Sequence, residues 1–174
     1  MHTRAGLATM LALTASVILS CSDSSLTGPR RVHDRENGFS VVPPDGWVSR
    51  GKVTGSLMTY YGPTEGDFPI NFSINTARDR GEPVEDLPAK FKAMLSRTLP
   101  GYSPVDEGVV TLNGKKASYL SGTYQDGTLQ LRKLQYFIRG TNRQIYAISF
   151  HAPVESFAAH RATFEAVAQS VRTD

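Results

Sequence analysis

The fold is decided by residues 105–152, which read VDEGVVTLNGKKASYLSGTYQDGTLQLRKLQYFIRGTNRQIYAISFHA. Three short turn sequences divide this stretch into four strand-like runs. The turns are Asn113-Gly114, Asp126-Gly127 and Gly140-Thr141-Asn142, and the runs are Val105–Leu112, Lys115–Gln125, Leu129–Arg139 and Arg143–Ala152. Asn-Gly and Asp-Gly supply the positive φ angles that two-residue hairpins need. Because such tight turns join only antiparallel neighbours, the stretch predicts an antiparallel meander.

Upstream and downstream patterns add strands and two helices to the meander. The upstream strands are Phe39–Val42, Leu57–Tyr61 and the alternating run through Ile70, Phe72 and Ile74. A helix is expected over Leu87–Leu99, because Pro88 suits a first helical turn and Pro100-Gly101 stops the pattern. A second helix is expected over about Val154–Val171. The predicted fold class is therefore α+β, an antiparallel sheet flanked by two main helices.

Residues 1–20 are typical of an export signal rather than of a folded domain. Arg4 precedes an apolar run from Ala5 to Leu19, which as a helix would span roughly 22 Å, less than the ~30 Å of a bilayer core. The run leads into Ile18-Leu19-Ser20-Cys21, which resembles the lipobox of bacterial lipoproteins. That resemblance implies cleavage before Cys21 and acylation of Cys21 by a diacylglyceryl group and a further fatty acid such as palmitate. The alternative is an ordinary secretory signal followed by an incidental cysteine.

The composition of the chain after residue 20 excludes some classes of partner and of site. Removing residues 1–20 leaves 154 residues with 18 basic and 16 acidic side chains, a net charge too small to indicate a nucleic-acid partner. Cys21 is the only cysteine, which excludes an internal disulfide and any multi-cysteine metal site. Residues 21–36 are polar and are expected to form a disordered tether, with one domain over residues 37–172. No cofactor is predicted.

The residue after Cys21 bears on localisation. Ser22 resembles the sorting pattern of outer-membrane lipoproteins, whereas Asp23 leaves the inner membrane open. We therefore expect a lipid-anchored protein of the bacterial cell envelope, on the periplasmic face of the outer membrane in a Gram-negative cell. Its expected partners are the bilayer, through acylated Cys21, and an envelope protein or anionic ligand.

The nine residues FSVVPPDGW, Phe39 to Trp47, resemble the opening of the PsbP-like superfamily, where a short strand runs through Pro and Gly into a tryptophan. The central helix, the meander and the closing FEAVAQSV, residues 164–171, follow the same order of elements. The resemblance, which extends to DcrB/LpqN-type lipoproteins, implies an α/β/α sandwich. It also implies a non-enzymatic binding or accessory role for a membrane-anchored protein.

Several side chains that could carry chemistry also have a simpler structural interpretation. Trp47 is expected to anchor the core rather than to form a ligand platform. His151 and Glu155 lie four residues apart, but zinc needs a third ligand that is not evident, so no metal site is predicted. His160 borders the apolar stripe of the last helix. Ser149 and His151 lie on one strand without a nucleophile turn, so no catalytic residue is predicted and a hydrolase-type envelope enzyme remains the alternative function.

The turns of the meander suggest one candidate site. Counting residue pairs around Asp126-Gly127 places Lys115 and Lys116 opposite Ile138 and Phe137, next to Arg139. Arg143 returns to the same end after the next turn, so four cations are expected together: Lys115, Lys116, Arg139 and Arg143. These residues would form a patch that faces anionic headgroups or an acidic partner, or they would only solvate the turns and protect the sheet edge.

Overall fold

Seven strands form one antiparallel sheet in the computed structural model, which describes residues 30–173 apart from 52, 54 and 142. Three more strands form a small antiparallel sheet. The strands are β1 (Val32–Asp34), β2 (Phe39–Val41), β3 (Val48–Ser49), β4 (Met58–Glu65), β5 (Phe68–Arg78), β6 (Ser103–Leu112), β7 (Lys115–Asp126), β8 (Leu129–Arg139), β9 (Gln144–Pro153) and β10 (Arg172–Thr173). The order in the large sheet is β3-β4-β5-β9-β8-β7-β6, and the order in the small sheet is β1-β2-β10. The helices are α1 (Leu87–Thr98), preceded by a 3-10 turn at Val84–Asp86, and α2 (Phe157–Ser170).

The predicted meander is confirmed as β6 to β9, with every neighbouring pair antiparallel. Asn113 and Gly114 have φ angles of 46° and 77°. Both values lie in the left-handed region, which the two central residues of this type of turn must adopt. The register predicted for the second hairpin is wrong by two residues. Asp126 pairs with Leu129, so the turn residues are Gly127 and Thr128.

The corrected register moves the basic residues relative to the next strand. Ala117 pairs with Ile138, so the next pair along the ladder sets Lys116 against Arg139 instead of Phe137. The register differs from the prediction because Gly127, with a φ of 59°, is the first central residue of the turn and not the second. Asp126 therefore keeps its place in the ladder, and β7 gains one residue.

The two faces of the large sheet carry separate apolar clusters. On one face, α2 and the small sheet cover a cluster that includes Phe72, Ile148 and Phe150, all fully buried, and Phe164 of α2 packs on Phe150 with ring centroids 4.9 Å apart. On the other face, α1 covers a smaller cluster. This cluster contains Leu87, Leu95, Leu120, Phe137, Ile145 and Ala147. The polar pair next to this cluster on the same face, Gln135 of β8 and Ser149 of β9, is buried as well, at 3% and 1% exposed.

Both ends of the domain differ from the sequence-based prediction. Val32–Asp34 pairs with Phe39–Val41, so the last residues of the expected tether belong to a strand and the ordered domain begins before residue 37. Pro153 ends β9, and α2 begins at Phe157 rather than near Val154. Among the described residues, no helix has the length and apolar character needed to cross a bilayer. The expected signal segment and Cys21 lie outside the described residues.

Candidate functional site

The turns β6–β7 and β8–β9 bring three of the four predicted cations into one depression. Lys115, Lys116 and Arg139 line it together with Glu85 from the turn before α1. Arg143 lies in a neighbouring depression with Arg78, Asp79 and Arg80. We call these two depressions together the basic end. Its lining includes six cationic side chains and two carboxylates.

Each lysine of the basic end is held by a contact from another part of the chain. The Lys115 ammonium donates to the carbonyl and the hydroxyl of Thr173, at 2.8 and 2.9 Å. The Lys116 ammonium lies 3.0 Å from the Glu85 carboxylate, in an exposed ion pair. Exposed pairs of this kind contribute little to stability, so Lys116 remains available to solvent and ligands.

Asp79 connects the two depressions. Its carboxylate forms an ion pair with Arg139, with Oδ2 2.6 Å from Nε, and its backbone N–H donates to the carbonyl of Arg143. A hydrogen bond from the N–H of Gly81 is the largest cause that holds the pKa of Asp79 below its usual range, and Arg139 and Arg143 add to it. The φ of Arg143 is 58°, an uncommon value for a residue with a Cβ.

Glu85 is the second carboxylate of the basic end. Its own backbone N–H is the largest cause that lowers the pKa of Glu85, and Lys116 and Arg139 lower it further. Asp79 and Glu85 are therefore ionised at neutral pH and offset part of the positive charge. The six cations still outnumber them, so the basic end attracts anions.

The sequence did not indicate that acidic residues would reach this end. Asp79 and Glu85 lie between β5 and α1, and their sequence neighbours Arg78 and Arg80 add positive charge. Only the pairing of β5 with β9, from Asn71 with His151 to Arg78 with Gln144, carries this segment to the turns of the meander. The alternating charges of RDRG, residues 78–81, were the one local signal that could have drawn attention to it.

His151 and Glu155 do not come together as metal ligands. His151 Nδ1 lies 2.7 Å from the hydroxyl of Tyr124, and burial lowers the pKa of His151 to about 3, so the ring is neutral at physiological pH. Glu155 is exposed and lines a different depression beside Glu65. Within the part of the chain that the structure describes, no group of three or more metal-ligating side chains occurs.

Ser149 and His151 also fail to form a nucleophile–base pair. The hydroxyl of Ser149 accepts a hydrogen bond from the Gln135 amide at 2.9 Å, while His151 is engaged with Tyr124. Ser149 is 1% exposed. These two residues are therefore structural members of the sheet face.

Trp47 and His160 occupy structural positions, as expected. Trp47 is half-buried and packs at the edge of the larger cluster, with its ring centroid 5.9 Å from that of Phe72. His160 lies beside Phe164 and places Nε2 2.7 Å from the carboxylate of Glu65, which joins α2 to β4. Neither residue lines the basic end.

No protein-family model and no curated protein sequence matches the chain at a significant level. Solved structures do. The solution structure of cyanobacterial PsbP (CyanoP) from Synechocystis superposes with a TM-score of 0.66 at 15% identity, covering 90% of this chain and 99% of that one. The chain has a PsbP-like fold. The expected α+β architecture is thereby confirmed.

Two further structures share the PsbP-like fold with this chain. LpqN of Mycobacterium tuberculosis, described as involved in cell envelope biogenesis, matches with a TM-score of 0.61 at 15% identity, over 83% of this chain and 90% of that one. The Ran-binding protein Mog1p of Saccharomyces cerevisiae matches with a TM-score of 0.58 at 11% identity, over 83% of this chain and 94% of that one. At such low identities the likeness concerns the fold and does not extend to a ligand or site.

Proposed function

We propose that this protein is a lipid-anchored protein of the bacterial cell envelope and that its PsbP-like domain is a non-enzymatic binding module whose basic end faces anionic lipid headgroups. The apolar run that ends at Cys21 supports the anchor. The shared fold supports the binding role by analogy, since one structure with this fold is described as a Ran-binding protein and another as involved in cell envelope biogenesis.

The observation that carries the proposal is that the first described strand and the basic end are joined to the same small sheet. The described chain enters the small sheet through Arg31 and β1, where the Arg31 guanidinium donates to the carbonyl of Ser170 at 2.7 Å. Strands β1 and β10 flank β2 in that sheet. Thr173 of β10 accepts both hydrogen bonds from Lys115. The anchored end of the chain and the basic end are thus attached to the same three short strands.

Covalent geometry then limits the distance between the domain and the bilayer. Arg31 is the tenth residue after Cys21, and at most ~3.6 Å per residue these ten steps along the chain reach about 36 Å. A basic side chain near an anionic surface contributes about 1 kcal/mol, and the attraction fades over a Debye length of about 8 Å at physiological salt. A tether of this length would allow the basic end to come within that distance of the bilayer, where such a weak attraction can orient the domain.

Vesicle flotation of the unlipidated chain from Ser22 onward tests the proposal. We expect weak binding to vesicles that contain anionic lipid, loss of that binding as salt is added, and none to neutral vesicles. Replacing Lys115, Lys116, Arg139 and Arg143 by glutamine should abolish binding while the aliphatic stems largely remain. The matched control replaces four cations elsewhere: Arg50, Lys92, Arg97 and Arg161. Equal flotation of the two variants, both shown to be folded by circular dichroism, would contradict the proposed orientation.

A further inference from the structure

Three arginines of the basic end line a single depression. Arg78 is the last residue of β5, Arg80 follows it two residues later, and Arg143 directly precedes β9. Arg78 pairs with Gln144 in the ladder of β5 and β9. The N–H of Asp79 also donates to the carbonyl of Arg143 at 2.9 Å, so backbone hydrogen bonds join the two segments that carry the arginines. The depression has a volume of about 390 Å³, and we call it the arginine depression.

The one carboxylate among the described residues that line the arginine depression is already paired. Oδ2 of Asp79 lies 2.6 Å from Nε of Arg139, a residue of the neighbouring depression. Oδ1 of Asp79 accepts hydrogen bonds from Nη2 of Arg139 at 3.2 Å and from the N–H of Gly81 at 2.9 Å. A carboxylate balances one positive charge, and Arg139 takes this one. Asp79 therefore leaves the charges of the three arginines without a counterion.

The three guanidinium groups form no ion pair and no side-chain hydrogen bond within the part of the chain that the structure describes. In the neighbouring depression, by contrast, each of the cations Lys115, Lys116 and Arg139 is engaged by a partner. All three arginines are exposed, so their N–H donors are accessible to a ligand. Like charges gathered around one space repel each other, and an anion with more than one charge placed between them removes that repulsion.

The charges and donors of the arginine depression favour a phosphate group over a carboxylate. A guanidinium is planar and presents its N–H donors as a fork that binds two oxygens of one anion. A phosphomonoester carries about −1.5 to −2 charges near neutral pH and has three terminal oxygens. A phosphodiester or a carboxylate has a single charge and only two such oxygens, so it satisfies fewer of the three guanidinium groups. A terminal phosphate therefore matches the depression best.

We propose that Arg78, Arg80 and Arg143 form a binding site for a phosphomonoester group. The phosphate oxygens accept hydrogen bonds from the guanidinium groups, and the rest of the depression accommodates the group that carries the phosphate. The phosphate belongs either to a lipid headgroup or to a soluble molecule. In the lipid case the inference rests on the proposed function, because the arginine depression is part of the basic end that faces the bilayer. In the soluble case it stands without the proposed orientation.

An NMR titration of the isotope-labelled mature chain in uncharged detergent micelles tests the site. Methyl phosphate, dimethyl phosphate and acetate are added separately at constant ionic strength, and the backbone amide of Gly81 is followed. We expect saturable shifts with methyl phosphate and roughly tenfold weaker binding of the other two anions, which engage fewer of the donors. Replacing both Arg78 and Arg80 by glutamine should weaken methyl phosphate binding by about tenfold or more, because the charge-assisted hydrogen bonds are lost. The matched control replaces Arg50 and Arg97, two exposed arginines elsewhere, by glutamine.

Vesicle flotation distinguishes the two sources of the phosphate. Vesicles that contain phosphatidic acid, whose headgroup is a phosphomonoester, are compared with vesicles of equal surface charge that contain phosphatidylglycerol, a phosphodiester. A preference for phosphatidic acid that disappears when Arg78 and Arg80 are replaced assigns the phosphate to a lipid. Equal flotation on both vesicles, or none, together with saturable binding of methyl phosphate, assigns it to a soluble molecule.

Three results would overturn the inference. They are an absence of saturable shifts with methyl phosphate, equally tight binding of dimethyl phosphate or acetate, and unchanged methyl phosphate affinity in the variant that lacks Arg78 and Arg80. Any of these results combined with salt-sensitive flotation on phosphatidylglycerol would leave the proposed function intact, because overall charge alone would then attract the basic end. Amide spectra that match the wild-type pattern away from the depression establish that each variant is folded.

Discussion

The indole of Trp47 lies directly over Gly62, so closely that a Cβ built on Gly62 would stand 2.3 Å from Cε2 of the ring. Trp47 packs in turn against Phe72 in the larger cluster. Gly62 belongs to the irregular part of β4, where the register with β5 shifts between Tyr61 and Thr64. Because Gly62 has no side chain, it leaves room for the indole of Trp47 to cover the edge of the core.

Adding one methyl group at Gly62 should displace this ring. We expect Gly62→Ala to lower the free energy of unfolding by about 1–3 kcal/mol, the usual cost of overpacking. In a Trp47→Leu background the same change should cost much less, because the group that it displaces is gone. Urea denaturation of the four proteins measures the coupling. An equal penalty in both backgrounds would show that the contact with Trp47 is not the cause.

The first hairpin of the meander depends on left-handed backbone at Gly114. Because a β-branched residue is strained at a φ of 77°, Gly114→Val should lower the free energy of unfolding by roughly 1 kcal/mol or more. Gly114→Asn is the matched control, since asparagine tolerates this conformation better and should cost less. Thermal melts of both variants provide the measurement, and valine and asparagine with equal effects would argue against backbone strain.

Lipidation of Cys21 is the chemical prediction that follows from the sequence. Mass spectrometry of the protein isolated from bacterial membranes should show a mature chain that begins at an acylated Cys21. Cys21→Ser should remove the modification and leave either unprocessed precursor or protein that does not partition into detergent. A free thiol at position 21, or cleavage after it, would contradict the lipoprotein assignment.

Half-buried His151 should make the domain sensitive to acid. In the unfolded chain a histidine binds a proton near pH 6.5, whereas in the folded protein burial lowers the pKa of His151 to about 3. The unfolded state therefore binds more protons between these values, and the free energy of unfolding falls as the pH drops from about 6.5 toward 3. Urea denaturation at a series of pH values should show a smaller fall for His151→Gln than for the wild type.

The comparison of wild type with His151→Gln isolates the contribution of His151 to this acid sensitivity. Carboxylates also titrate in this pH range, but they do so in the wild type and the variant alike, so the difference between the two curves belongs to the histidine. A wild-type curve that coincides with that of His151→Gln would mean that the ring is protonated in the folded protein.

The local parts of the fold were the most predictable. The Asn113-Gly114 turn, the alternation through Ile70, Phe72 and Ile74, and the helix around Leu87–Thr98 follow from short-range geometry, and the structure has all three. At the Asp126-Gly127 turn the predicted register was wrong by two residues, because glycine can occupy either central position of a tight turn. Strands β1 and β10 are only three and two residues long. Such short segments show no alternation of apolar and polar residues, so they are recognised as strands only from their pairing with β2.

What the sequence by itself determined is the set of contacts that a turn enforces: the order β6-β7-β8-β9 and the gathering of Lys115, Lys116 and Arg139 at one end. The tertiary structure alone decided that β5 pairs with β9 and brings Asp79 to Arg139, and that β10 returns to place Thr173 on Lys115. The physical reason is that a tight turn allows one antiparallel partner, whereas an apolar face can be buried against any complementary face. Which distant partner it meets depends on the packing of the whole domain.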